Sequence, residues 1–144
     1  MAAIKFKKIK RYNRAVAEAG VEFTPMDDAG NTHGTFKVSY YDLDSKFVRV
    51  AIDLVNETHA KEIRALPSER ERGYFVFAHC FVHGWSNVLD EDDKQVPFSH
   101  QAAYELLMSD EEDDWLPSRL VAFAKDGRNF QNDPRATKDE QAKN

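Results

Sequence analysis

From 74 to 82 the chain is apolar at every position except His79, too evenly for a surface helix with one wet face. A helix that is hydrophobic nearly all round is normally central to a fold. Ser68 and Glu71 form a capping-box pattern that starts this helix, just after Pro67 closes the preceding segment. Gly84 offers the left-handed residue that predicts the helix end. The pattern then changes at once. WSNVL and QVPF, on either side of the acidic turn DEDDK, read as a β-like excursion, and Ser99 is placed to cap a new helix.

The remaining segments are arranged around that unit. Residues 11–19 are alanine-rich and helical in propensity, with Gly20 as a stop. VEFT and GTFKVSYY, separated by the turn-rich MDDAGNTH, predict a β-hairpin; Phe36, Val38 and Tyr40 alternate with Thr35, Lys37 and Ser39. A single helix is expected over 46–64, with Phe47, Val50, Ala51, Leu54 and Val55 as its apolar stripe. After Ser99 a helix runs to about residue 107, with Ala103, Tyr104 and Leu107 inward. Ser109 and Glu112 suggest another capping box, and Trp115, Leu116, Leu120 and Phe123 would face the core from a last helix. Pro117 demands a kink or a restart there. Gly127 ends the helix, Phe130 tucks back, and residues 131–144 read as a disordered tail. The expected fold is mainly α (α+β), one domain over 1–130. About four main helices pack round the central apolar one, with a small β-hairpin component.

Composition narrows the classes. The chain has 144 residues, a net charge of −5 and a single cysteine, Cys80. No internal disulfide is possible, and an acidic chain is not expected to bind nucleic acid generally. The start has basic residues but no apolar stretch of a signal peptide, and no run approaches the roughly 20 apolar residues that cross a bilayer. Neither a nucleic-acid nor a membrane partner is expected. The N-terminal cluster Lys5, Lys7, Lys8 and Lys10 alternates loosely with Ile4, Phe6 and Ile9. It reads as a lysine-blunted edge strand or an arm, and is a candidate for contact between subunits.

Candidate chemistry is sparse. His79 and His83 stand four apart on the expected helix, the spacing at which two imidazoles meet one metal ion. A small metal-binding enzyme or regulator built on this pair is the alternative to a purely interacting protein, but two ligands do not close a site. The carboxylates at 90–93 lack the spacing, central glycine and final glutamate of an EF-hand loop. Those at 110–114 suit a helix start. Cys80 inside FAHCF reads as a small core residue. With no phosphate-cradling glycine loop and no nucleophile elbow, neither a catalytic residue nor a cofactor is expected.

GWSNVLDEDDKQVPFS at 84–99, then HQAAYELLM and WLPSRLVAFAKDGRNF, resembles the tail assembly chaperones of long-tailed bacteriophages. The front half is also similar, in FKKIKRYNRAVAEAGVEF, the DDAGN turn and GTFKVSYYDLDSKFVRVAID. DEDDK departs from the pattern, where the family commonly has a glycine in the turn. The resemblance implies a mainly helical, homo-oligomeric protein of the host cytoplasm, absent from the finished virion. It would bind the phage tape measure protein, keep that protein's apolar helices soluble and help recruit the tail tube protein. Leu106, Met108, Leu116 and Val121 are the apolar residues proposed for that contact, with Lys5, Lys7, Lys8 and Lys10 for self-association.

Overall fold

The computed structural model describes residues 3–132, so the expectation of a disordered tail falls, from residue 133 on, outside the described residues. The apolar segment forms α4 (Glu69–Phe81) and passes without a loop into β3 (Val82–Ser86). Ser68 accepts the Glu71 N–H at 3.1 Å, so the serine half of the expected capping box is in place. Phe75, Phe77, Ala78, Cys80 and Phe81 are all buried, because α4 packs against both α2 (Lys46–Thr58) and α5 (His100–Met108). The helix does not end at Gly84. Val82 is already extended (φ −104°, ψ 118°), and Gly84 lies within β3 without a positive φ. Pairing of Val82 with Val38 across the sheet, not a left-handed cap, sets the boundary.

The sheet has three antiparallel strands, in the order β1 (Val21–Phe23), β2 (Thr35–Val38), β3. The hairpin is as expected, with Val21 opposite Val38 and Phe23 opposite Phe36. Phe36 (1%), Val38 (0%) and Tyr40 (4%) are the buried face that their alternation required. The excursion after α4 supplies the third strand instead of a hairpin of its own; Leu89 and Gln95 make only an isolated bridge. In its acidic turn the left-handed position falls on Asp93 (φ 60°), a residue type that tolerates it.

The helices refine the expected pattern. α1 (Arg14–Ala19) starts three residues later than the composition suggested, capped by Asn13. It stops at Gly20 (φ 88°), where a Cβ would come within 3.0 Å of the Val38 carbonyl oxygen. The single helix expected over 46–64 is two, α2 and α3 (Ala60–Ala65), because His59 (φ −113°, ψ 27°) breaks the helical path. Leu66 is extended, as a residue before proline should be. α2 also faces differently. Val48 (1%) is buried and Ile52 and Val55 pack on the core, whereas Val50 (56%) and Leu54 (63%) point outward.

Ser99 caps α5 through the Ala102 N–H at 2.9 Å. The capping box expected at Ser109 does not form: the Ser109 hydroxyl donates to the Leu106 carbonyl. Residues 110–114 are a loop in which the Asp110 carboxylate accepts the N–H groups of Glu112 and Asp113. α6 (Trp115–Lys125) begins after it, so Pro117 occupies a first turn, where its missing N–H costs nothing and no kink is needed. A 3₁₀ turn (Gly127–Phe130) then places Phe130 at 0% exposure against Tyr40 and Phe123.

Ser39 (5% exposed) ties helix to sheet. Its N–H donates to the Phe81 carbonyl at 2.9 Å, and its hydroxyl donates to the Cys80 carbonyl at 3.4 Å. The same hydroxyl accepts from Nε2 of His83 at 2.8 Å. Ser39→Ala removes a hydroxyl shared by the Cys80 carbonyl and the exposed His83 imidazole, and should cost about 0.5–1.5 kcal/mol in denaturant unfolding. A stability equal to that of the parent chain would show that water satisfies these groups in its place.

Candidate functional site

Between the acidic turn after β3 and the loop joining α5 to α6 lies an open cleft of about 440 Å³. Its apolar surfaces include Leu89, Leu106, Trp115 and Leu116, and Asp93, Asp110 and Asp113 reach it from the two loops. Local hydrogen bonds hold both rims. The Asp90 carboxylate accepts the N–H groups of Asp92 (2.8 Å) and Lys94 (3.0 Å), which curls the first rim. On the second, the Asp113 carboxylate accepts the Trp115 N–H at 3.1 Å, and Asp114 pairs with Arg70 from α4. His33 meets Trp115 edge-on, with ring centroids 4.9 Å apart. The floor is firm, because Leu107 (2%) and Leu116 (9%) belong to the main core, whereas Leu89 is 51% exposed.

The residues expected to bind a partner do not form one patch. Leu106 and Leu116 share the cleft. Met108 is half-buried and its sulfur faces Nη1 of Arg70 at 3.8 Å, while Val121 packs against the core. The arm carrying Lys5, Lys7, Lys8 and Lys10 is not an edge strand; residues 3–10 have no regular secondary structure and are exposed throughout. Ile4 (77%), Phe6 (81%) and Ile9 (87%) are the most exposed large apolar side chains among the described residues.

The stripe expected on α2 is only partly inward. Phe47, Val50, Ala51 and Leu54 follow i, i+3, i+4, i+7 spacing; Phe47 packs against the core, Val50 and Leu54 are exposed, and Phe47, Val50 and Ala51 line a groove of about 420 Å³ with Arg14 and Glu18 of α1. The clue was present: Phe47, Val48, Val50, Ala51, Ile52, Leu54 and Val55 are more apolar residues than one buried face needs.

The histidines do not share a metal-binding face. His83 lies on β3 and bonds Ser39, whereas Nδ1 of His79 is engaged with the Phe75 carbonyl at 2.9 Å. The His79 ring sits between those of His59 (centroids 4.6 Å) and His100 (5.3 Å) and stacks on Phe75 (4.1 Å). Among the described residues, no group of three or more His, Cys, Asp or Glu side chains is arranged to hold a metal ion. Cys80 is buried, its Sγ lies 3.6 Å from the Ala51 carbonyl oxygen, and burial pushes its thiol up to about 12. At ordinary pH it is a thiol, not a thiolate nucleophile.

Fold and cleft together define a small α+β domain with exposed apolar surfaces bordered by charge, in which no described helix is long and apolar enough to cross a membrane. Comparison with protein families adds a phage connection. The model of the YdaY prophage protein family matches residues 10–144, and the chain belongs to that family. No significant match was found among curated proteins or solved structures.

Burial lowers the affinity of His79 for a proton, against the opposing bond to the Phe75 carbonyl, and the neighbouring His59 and His100 lower it further. Glu62, facing from α3, acts the other way. Loss of hydration on one side of its ring lowers His83 as well, helped by the charges of His100 and Lys37. The unfolded chain therefore binds these protons first, and stability should fall as pH drops below about 6.5. Asp42 contributes in a separate, more acidic window. Burial opposes its ionisation, yet bonds from Asp44, Arg11 and Ser45 hold it below the usual carboxylate range. His79→Leu should flatten the slope of unfolding free energy between about pH 7 and 5. An unaltered slope would mean that His79 titrates in the fold as it does unfolded.

Proposed function

We propose that this prophage protein is a tail assembly chaperone, which binds the tape measure protein of its phage, keeps it soluble and helps recruit tail tube protein. Membership of a prophage family supports the phage setting. The observation that carries the reading is the apolar row Phe47, Val50, Ala51 and Leu54 on α2, in which Val50 and Leu54 are more than half exposed. A tape measure protein presents long apolar helices that aggregate unless covered. A row at i, i+3, i+4, i+7 with a groove beside it is the surface on which one apolar helix packs against another. The flanks Arg14, Glu18 and Lys46 are charged, so the rim stays wet while the centre of the contact dries.

In this reading the protein acts by binding alone, with no cofactor and no chemical step, in the cytoplasm of the host. Co-expression with the tape measure protein of the same prophage should convert an insoluble product into a soluble, multi-copy complex that co-purifies. Val50→Asp with Leu54→Asp should abolish that rescue while leaving the fold intact, since both side chains are exposed. A tape measure protein that stays insoluble beside the parent chain would rule the function out. Rescue surviving both substitutions would instead move the contact to another surface, with Leu106, Met108, Leu116 and Val121 next to be replaced.

A further inference from the structure

We propose that the N-terminal arm of one copy docks in the acid-rimmed cleft of a second copy, linking the chains head to tail. This does not depend on the chaperone reading, which uses the outer face of α2.

The two surfaces are complementary in both polarity and charge. The arm offers Ile4, Phe6 and Ile9, each more than three-quarters exposed, interleaved with Lys5, Lys7, Lys8 and Lys10. None of the ion pairs among the described residues includes those lysines. The cleft offers an apolar surface at Leu89, Leu106 and Trp115 beneath Asp93, Asp110 and Asp113. An extended basic–apolar segment lying there buries its apolar side chains between the walls and brings its ammonium groups to the carboxylates.

Geometry favours a second copy over the chain's own arm. The arm leaves the domain beside the C-terminal end of α6: the Asn13 N–H donates to the Phe130 carbonyl at 2.8 Å, and Gly127 lies against the Arg11 carbonyl. The cleft is at the other end of α6, at Trp115 and Leu116. That helix has eleven residues, a span of about 16 Å. Fully extended, residues 3–10 reach about 26 Å. Within one chain most of the arm would be spent on the crossing, leaving Phe6 and Ile9 outside the cleft. From a neighbouring copy the whole arm can enter. Because arm and cleft are different surfaces, each added copy leaves one of each unfilled, and the contact repeats.

Sedimentation and light scattering across a concentration series of the full chain test this directly. The expected result is association that grows with concentration, weakens with added salt and disappears when residues 1–10 are deleted. Asp93→Asn with Asp110→Asn, which keep the left-handed turn and the loop's hydrogen bonds while removing both charges, should weaken association as well, and Lys5→Glu, Lys7→Glu, Lys8→Glu with Lys10→Glu should give monomers. A synthetic peptide of residues 1–12, titrated into the arm-deleted chain with Trp115 fluorescence as the readout, should bind saturably. Its affinity should fall about tenfold in the two-aspartate variant. An assembly size unchanged by the deletion overturns the proposal, as does a full chain that stays monomeric while its arm protects its own cleft from the peptide. Absence of peptide binding to a folded, arm-deleted chain overturns it too.

Discussion

A helix that turns directly into a strand inside a protein must find donors for its last carbonyls without help from water. At the junction of α4 and β3 Ser39 meets much of that requirement, its N–H and hydroxyl serving the Phe81 and Cys80 carbonyls, while Nδ1 of His100 lies 3.1 Å from the Ala78 carbonyl oxygen. Ser39 follows the end of β2, which pairs with β3, so satisfying the helix end also fixes the register of the sheet. The next residues extend the tie, with Tyr40 N–H on the Ala17 carbonyl and Tyr41 N–H on that of Ala124. One short stretch, 39–41, thus binds α1, α4 and α6 to the sheet by backbone hydrogen bonds. Phe130 and Tyr12 close round Tyr40 on the same side, with ring centroids 5.2 and 4.8 Å away.

Much of this was legible because local chemistry and tertiary packing agree. Ser68 and Ser99 cap where their spacing says, and Phe36, Val38 and Tyr40 face inward as a period of two demands. The readings that fail are those where another partner, distant or adjacent, outweighs the one that the spacing suggests. Gly84 was a good helix terminator in isolation, but Val82 has a strand waiting for it in β2. Ser109 and Glu112 had the spacing of a capping box, yet the Asp110 carboxylate takes the free N–H groups first. The break at His59 has no proline or glycine to announce it; its ring instead meets Phe75 and His79 of α4.

The site was less legible than the fold, for a different reason. Periodicity says which residues share a face, not which face is covered. Val50 and Leu54 fit the helical stripe of α2 as well as Val48 and Val55 do, and only the position of α4 decides that Val48 is the buried one. Leu106 and Leu116 come from different helices and meet only because the 110–114 loop folds back. The other wall of their cleft, Leu89 and Asp93, comes from the turn after β3, which no pattern in the sequence connects to α5.

An acidic protein that exposes Ile4, Phe6, Ile9, Val50, Leu54 and Leu89 is exposed to indiscriminate aggregation unless something limits which surfaces meet. Charge supplies the limit. The arm's apolar residues are separated by lysines, so two arms repel. The cleft is bordered by aspartates, so two clefts repel as well. Of the pairings between these surfaces, only arm with cleft brings opposite charges together as apolar area is buried. The row on α2 has a mixed border of Arg14, Glu18 and Lys46, without a dominant sign to exclude a partner. The proposed assembly of like with like and the proposed acceptance of a foreign apolar helix therefore place opposite demands on charge, met by the aspartate border of the cleft and the mixed border of the α2 row respectively.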